Sequence, residues 1–237
     1  MPKKLSIIIP VYNESKFILR CLEDVSALEI PNYIKEIIVV NDGSTDNSFE
    51  LIKKFSDENK NIKLITLSKN LGKGAALKKA IGQTTGEIVI IQDADLEYDP
   101  KDILQILKKY ENKNCNVVYG SRILGSQVFN NKNAGMFFFF GGITLTKLIN
   151  ILFGTELTDQ PTCYKSWRNF LSKDLIKYCR SNGFEFEVEM TAFFSKSNNI
   201  EEVPIHYYPR SVKNGKKITL KDFIVSVFTA FRCKFLE

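Results

Sequence analysis

Four carboxylates lie within seven residues of the segment VIIQDADLEYDP, at positions 89–100. They are Asp93, Asp95, Glu97 and Asp99, and like charges this close repel one another unless a cation lies among them. Carboxylates that follow a buried strand suit a hard cation such as Mg²⁺ or Mn²⁺, which takes one or two of them and completes its shell with water and substrate phosphates. The DAD tripeptide therefore predicts a divalent metal site, with a solvated loop as the alternative for such a tripeptide alone.

The acidic segment ends one of five aliphatic runs that alternate with helical patterns over the first 120 residues. Near-continuous Val and Ile in these runs is typical of parallel strands that helices cover on both faces. We therefore expect an α/β, Rossmann-like, mostly parallel sheet. The predicted strands are 5–9, 36–42, 62–68, 87–93 and 116–121, and the predicted helices are 14–28, 46–58 with Asp46 as its cap, 72–82, and one that begins at Asp99 and Pro100.

Polar residues follow four of these strands, in the segments PVYNE, NDGSTD, SKNLGKG and DADLE. Ligands of open α/β sheets bind outside the carboxyl ends of the strands. We therefore expect all four segments to converge on one crevice.

The second half of the chain is less regular. Its periodicity predicts a mobile loop at 126–135, a strand or strand-turn at 156–167, a helix at 169–179, a helix within 184–197 and a short strand at 200–210.

Two further segments are rich in apolar residues. Residues 136–153 are interrupted by Gly, Lys and Asn and are too polar to span a membrane, so we expect a helix that packs in the core or lies against a bilayer. The tail, residues 219–237, fits an amphipathic helix that packs on the sheet or lies in a membrane interface. We expect a catalytic domain over 1–212 and an amphipathic helical tail over 213–237.

Composition narrows the class of protein. A net charge of +6 and a hydrophobic content of 44% are ordinary for a soluble domain, and the charge fits an anionic partner. Five cysteines without a C-x-x-C pair fit reduced cytosolic thiols, and the first apolar run is too short for a signal peptide. The aromatic segment lacks interleaved basic residues, so we expect no nucleic-acid partner.

Motif spacing excludes several kinds of site. NLGKGAA lacks the Ser or Thr of a P-loop and the third glycine of a dinucleotide fingerprint. A calcium loop would need Gly at Tyr98 and Glu at Leu104. A single histidine, His206, cannot build a zinc site of several histidines, and we expect it to be an ordinary strand residue.

The segments IIIPVYNE, VVNDGSTD, NLGKGAAL and DADLEYDP occur in that order, and together they resemble the family 2 glycosyltransferases with a GT-A fold. Within this family the chain looks like the dolichyl- or polyprenyl-phosphate sugar synthases. Looser matches continue through VVYGSR, LTDQPTCYKSW, FEFEVEM and EVPIHYYPRSVKNGKK, so the resemblance covers nearly the whole chain. It implies an inverting, metal-dependent transfer of a sugar from a GDP- or UDP-sugar to a lipid phosphate.

The resemblance also implies roles for particular residues. The donor nucleotide-sugar would be bound by Pro10, Tyr12, Glu14, Asp42, Lys73, Asp93 and Ala94. Mg²⁺ or Mn²⁺ would be bound by Asp93, Asp95 and Glu97, where Glu97 replaces the Gln of some relatives. The acceptor phosphate would face Arg122, Arg210, Lys216 and Lys217. Asp159 lies where relatives carry an acid near the reacting carbon, so the predicted catalytic residues are Asp159, Asp95 and Arg122.

The acceptor decides whether the reaction needs a base. A phosphate monoester has a second pKa of about 6, so it is already nucleophilic at neutral pH. A hydroxyl needs a general base, for which Asp159 is the candidate. The alternatives to a lipid phosphate are therefore a glycerolipid or polysaccharide hydroxyl, or a nucleotide- or lipid-binding module without turnover.

The two apolar segments favour a lipid acceptor, because both could dock the enzyme on an anionic membrane surface. Many relatives continue into transmembrane helices, and this sequence has none up to Glu237. We therefore expect peripheral contact with the cytoplasmic face of a membrane.

Overall fold

The computed structural model describes residues 2–129, 136–210 and 219–236, and these form a seven-stranded sheet with helices packed around it. The strands are β1 (Lys3–Val11), β2 (Tyr33–Asn41), β3 (Ile62–Thr66), β4 (Ile88–Ile91), β5 (Val117–Ser121), β6 (Lys165–Arg168) and β7 (Ile200–Pro204). Their order is β3-β2-β1-β4-β6-β5-β7. Only β6 runs antiparallel to its neighbours, β4 and β5, so the predicted mostly parallel sheet is confirmed.

Helices occupy the connections between these strands. They are α1 (Ile18–Ala27), α2 (Ser48–Glu58), α3 (Lys73–Ile81), α4 (Ile103–Lys109), α5 (Arg122–Phe129), α6 (Met136–Phe153), α7 (Ser172–Tyr178), α8 (Phe186–Ser195) and α9 (Leu220–Phe235), with 3₁₀ turns at Pro100–Asp102 and Asn169–Leu171. All four residues of β4 are buried, as a strand covered on both faces requires.

The helix starts follow local hydrogen bonds that the sequence pattern indicates only in part. Asp99 caps the turn before α4 as predicted, accepting the Lys101 N–H at 2.9 Å, although this turn is 3₁₀. Asp46 accepts the Ser48 N–H at 3.0 Å, one residue before the N-cap position that Asn47 occupies. The helix expected from residue 14 begins only at Ile18.

The predicted loop at 126–135 is wrong over its first residues. Residues 126–129 complete α5, which begins directly after β5 because Ser121 Oγ accepts the Leu124 N–H at 3.0 Å. The remaining residues, 130–135, lie outside the described part of the chain. The strand expected at 156–167 is confined to Lys165–Arg168, because the residues before it turn toward Arg122 and β7.

The predicted C-terminal helix folds back on α6 and α8. Leu145 and Ile149 of α6, Val188 of α8 and Ala230 of α9 form a small apolar cluster apart from the main core. Thr219 and Asp222 form a capping box at the start of α9. Within the described ranges, the helices fall short of the length and hydropathy that crossing a membrane would require.

Candidate functional site

A cavity of about 850 Å³ opens at the carboxyl ends of the central strands. Its lining draws on all four of the polar segments that follow β1 to β4, so the expected convergence is observed. The predicted site residues that line it are Pro10, Tyr12, Glu14, Asp42, Lys73, Asp93, Ala94, Asp95, Glu97, Arg122, Asp159 and Arg210. Lys216 and Lys217 lie outside the described residues.

The loop after β1 is fixed by the start of α2. Asn13 and Thr45 hydrogen-bond to each other, with the Thr45 N–H donating to Asn13 Oδ1 at 2.8 Å. The Glu14 N–H donates to Ser48 Oγ at 2.9 Å. These bonds hold the Glu14 side chain, which is 7% exposed, at the cavity wall.

Asp42 organises the loop before α3. Its two carboxylate oxygens accept the N–H groups of Leu71 and Gly72 at 2.8 and 2.9 Å. Burial raises the pKa of Asp42, and these two bonds oppose that rise. Gly72 has φ +99° and a Cβ there would lie 2.4 Å from Asn182 O, so the residue must be glycine. The bonds place Lys73 at the first turn of α3, facing the cavity.

Lys73 lies between two carboxylates. Its ammonium is 2.9 Å from Asp93 Oδ1 and 2.8 Å from Glu187 Oε1. Burial by itself would lower the pKa of Lys73, but Asp93 and Glu187 hold that pKa well above its usual value. Glu187 has no role in the sequence prediction, although its segment FEFEVEM belongs to the resemblance.

Arg210 is the cation that contacts three further acidic side chains of the cavity. It lies 3.0 Å from Glu14 Oε2, 2.8 Å from Asp95 Oδ2 and 3.4 Å from Glu97 Oε1. Burial, followed by the charges of Asp93 and Glu97, raises the pKa of Asp95 to about 7 even though Arg210 opposes this. One guanidinium thus contacts three carboxylates, and this excess of negative charge favours an added cation.

The side chains available as ligands limit the kind of metal ion that the site could bind. Across the described ranges there is no group of three or more acidic, His or Cys side chains arranged to hold a metal. Glu97 accepts the Tyr207 hydroxyl at 2.8 Å and the Arg210 N–H at 2.9 Å, so both of its oxygens have donors, and it stays a predicted third ligand. Asp93 and Asp95 fit a Mg²⁺ or Mn²⁺ ion that takes two protein carboxylates and completes its shell from a substrate.

Arg122 and Asp159 form a two-point ion pair. Arg122 Nε and Nη2 donate to Asp159 Oδ2 and Oδ1, both at 2.7 Å, and the Arg122 N–H donates to Oδ2 at 2.9 Å. The guanidinium also lies 5.2 Å from the centre of the Tyr207 ring. Burial would lower the pKa of Arg122, but Asp159 raises that pKa well above its usual value.

Glu202 of β7 positions the segment that carries Asp159, and the sequence prediction missed this role. Its carboxylate accepts the N–H groups of Thr158 and Asp159 at 2.7 and 3.1 Å. Glu202 lies within the matching segment EVPIHYYPR, but nothing in that pattern indicates which residue it contacts.

The opposite wall of the cavity is apolar and comes from α6 and α9. Its side chains are those of Phe139, Phe140, Ile143, Leu145, Leu220 and Phe223. Gly141 and Gly142 of α6 also line the cavity. One continuous cavity therefore joins a charged end at the strand termini to an apolar end between two helices.

Comparison with known proteins agrees with this architecture. Residues 6–176 match the model of glycosyl transferase family 2, and the chain belongs to this family. Glucosyl-3-phosphoglycerate synthase from Mycobacterium tuberculosis, solved with phosphoglyceric acid, has the same fold with a TM-score of 0.73 at 16% identity, over 98% of this chain and 80% of that one. A structure of the same enzyme with Mn²⁺, UDP and glucosyl-3-phosphoglycerate gives a TM-score of 0.68. The predicted GT-A fold and glycosyltransferase class are confirmed.

The chain is also similar in sequence to two other proteins. The undecaprenyl-phosphate 4-deoxy-4-formamido-L-arabinose transferase of Yersinia pestis is 26% identical over 220 residues, which are 90% of this chain and 62% of the relative. An uncharacterised protein of Methanocaldococcus jannaschii is 37% identical over 120 residues, which are 48% of this chain and 50% of that protein. The chain thus spans about three fifths of the length of the transferase it resembles.

Proposed function

We propose that the protein transfers a sugar from a nucleotide-sugar to a polyprenyl phosphate, with inversion at the anomeric carbon. One observation carries this proposal, namely that a single cavity joins the charged strand ends to the apolar wall of α6 and α9. A lipid phosphate has the same two parts, an anionic head and an apolar chain. The name of the similar Yersinia transferase, which includes undecaprenyl phosphate, supports this choice of acceptor.

The donor would occupy the ends of β1, β2 and β4. Pro10, Tyr12, Glu14 and Asp42 would border the nucleoside, and Lys73 would face the diphosphate. Asp93 and Asp95 would hold Mg²⁺ or Mn²⁺, which supplies Lewis-acid neutralisation of the leaving phosphate oxygens when bound. The M. tuberculosis structures with UDP and either Mn²⁺ or Mg²⁺ support a uridine donor and a divalent ion.

The acceptor side needs an anion-binding group and no base. A phosphate oxygen of the acceptor attacks the anomeric carbon, the bond from that carbon to the donor diphosphate breaks, and the electron pair leaves with the diphosphate. Arg122 would orient the attacking phosphate, because Asp159 fixes its guanidinium at two points. Arg210 would approach the acceptor phosphate from the side opposite Arg122. Lys216 and Lys217 stay predicted contacts of the same phosphate.

The ion pair of Asp159 disfavours the alternative of a hydroxyl acceptor. A general base must have an oxygen within reach of the proton it removes. Both oxygens of Asp159 accept from Arg122, and the residue is 3% exposed. A phosphate acceptor, which is already deprotonated at neutral pH, makes no such demand.

The proposal also includes contact between α9 and an anionic bilayer. Leu220, Ile224, Phe228, Phe231 and Phe235 of α9 are exposed and recur at helical spacing, which is typical of a helix lying in a membrane interface. Lys221 and Lys234 on the same helix would favour anionic headgroups. Such contact would bring the apolar wall of the cavity to the lipid acceptor.

A transfer assay tests the proposal. The protein is incubated with Mn²⁺, a panel of labelled UDP- and GDP-sugars, and vesicles that contain either polyprenyl phosphate or diacylglycerol. We expect label to enter the organic phase only with polyprenyl phosphate, and Asp95→Ala to abolish this transfer. Label on diacylglycerol, or equal turnover by Asp95→Ala, would contradict the proposed acceptor or the proposed metal site respectively.

A further inference from the structure

A row of alternating charges runs from the cavity into the core behind it. The Lys73 ammonium contacts the carboxylates of Asp93 and Glu187, at 2.9 and 2.8 Å, and all three residues line the cavity. The second oxygen of Glu187 lies 3.3 Å from the Lys165 ammonium. Exposure falls along the row, from 23% for the Asp93 side chain to zero for Lys165. We call these four residues the charge row.

Lys165 anchors the inner end of the charge row. Its ammonium donates to the carbonyl oxygens of Gln160, at 2.8 Å, and Thr162, and it lies 5.0 Å from the centre of the Tyr119 ring. Burial would raise the pKa of Glu187, yet Lys165 and Lys73 lower it to about 2. Glu187 is therefore an anion that contacts an ammonium group at each of its two oxygens.

Buried ion pairs of this kind stabilise a fold little compared with apolar side chains of the same volume. Such pairs can instead fix a charge in one place. The ammonium of Lys73 is the member of the charge row that has two anionic partners and lines the cavity. One of these partners, Asp93, is also a residue that the proposed metal would recruit.

We propose that Glu187 is a positioning residue that holds the Lys73 ammonium against the donor diphosphate. This rests on the proposed function. If Asp93 were the single partner of Lys73, recruitment of Asp93 by a metal ion would release the ammonium or make it compete with the ion. Glu187 is held in turn by the buried Lys165, so it can keep the Lys73 ammonium at the leaving group while Asp93 turns to the metal.

Binding measurements test this role without relying on turnover. UDP, GDP, UMP and GMP are titrated into the wild type, Glu187→Gln and Glu187→Asp by calorimetry with Mn²⁺ present. Glu187→Gln keeps the size of the side chain and removes its charge, so we expect about tenfold weaker binding of the preferred diphosphate and a change of less than about twofold for its monophosphate. Glu187→Asp keeps the negative charge but shortens the side chain by one methylene. Its loss of diphosphate affinity should lie between those of the wild type and Glu187→Gln, again with little change for the monophosphate.

The control is Glu185→Gln, two residues earlier, whose carboxylate accepts the Gly183 N–H at 3.2 Å. Glu185→Gln should bind the preferred nucleoside diphosphate and its monophosphate as the wild type does. Equal or tighter binding of the diphosphate by Glu187→Gln, or an equal loss for both nucleotides, would overturn the inference. If Glu187→Gln does not fold, the selectivity of Glu187→Asp decides in the same way. A wild type that binds no nucleoside diphosphate would instead overturn the proposed function.

Discussion

Replacing Asp159 by Asn should destabilise the protein through the arginine that it leaves behind. Arg122 makes three donations to Asp159 within 2.9 Å, and its side chain is 22% exposed. Removing one member of a buried ion pair costs about 3 kcal/mol or more, because the other charge stays buried without compensation. For a chain of this length, that loss lowers the midpoint of thermal unfolding by about 10 °C.

The double variant Arg122→Gln with Asp159→Asn separates stability from function. Two neutral amides can hydrogen-bond in place of the ion pair, so most of the lost stability should return. Transfer should stay absent, because no guanidinium is left to orient the acceptor phosphate. Chemical denaturation of the wild type, both single variants and the double variant gives the coupling energy of the pair.

An exposed pair provides the matched control. Arg20 and Asp24 lie 3.0 Å apart on α1, and the Arg20 side chain is 67% exposed. Arg20→Gln should change the free energy of unfolding by less than about 0.5 kcal/mol. The reasoning is refuted if Asp159→Asn loses no more stability than this control, or if the losses of the two single variants simply add in the double variant.

Three further perturbations test other parts of the site. The pKa of Asp95 is raised in the fold, so the native state binds more protons than the unfolded chain between about pH 4 and about pH 7. The stability of the metal-free protein should therefore fall as the pH rises through this range. Asp95→Asn should flatten this dependence of the melting temperature on pH. Gly72→Ala should weaken nucleotide binding and lower the melting temperature, because the added Cβ would clash with Asn182 O. The control is Gly82→Ala, where the atom nearest to the added Cβ is 3.6 Å away, and it should leave nucleotide binding and the melting temperature unchanged. Phe228→Glu should reduce flotation with anionic vesicles, and Phe170→Glu, at an exposed phenylalanine before α7, should not.

The sequence predicts most of the fold because its strands are long aliphatic runs. All the residues of β4 are buried, and its Ile and Val pattern together with the polar residues after it identify both the strand and its functional end. The antiparallel insertion of β6 between β4 and β5 could not be read from the sequence, because its four residues, KSWR, show no strand alternation. Pairing partners depend on tertiary contacts that no local pattern records.

The carboxylates that follow strands could be predicted from the sequence, whereas those that position Lys73 and the segment of Asp159 could not. Asp42, Asp93 and Asp95 stand directly after β2 and β4, which the topology brings to one edge of the sheet. Glu187 lies in α8 and Glu202 in β7, both far along the chain from these strand ends. Glu187 is one of three alternating acids in FEFEVEM and Glu202 is one of two adjacent acids in IEEVP, and only the folded chain shows which of these acids contacts Lys73 or Asp159.

The charge of the cavity favours the proposed roles of a metal ion and of the arginines. Among the described residues, its lining has eight acidic side chains against three basic ones, Lys73, Arg122 and Arg210. The proposed donor and acceptor are themselves anions, and an acidic cavity would repel them unless cations were added. Arg122 is held by Asp159 and Lys73 by Glu187, so neither is free to neutralise Asp95. Arg210 brings one positive charge to Glu14, Asp95 and Glu97, so a divalent ion at Asp93 and Asp95 would add positive charge where the proposed diphosphate would bind.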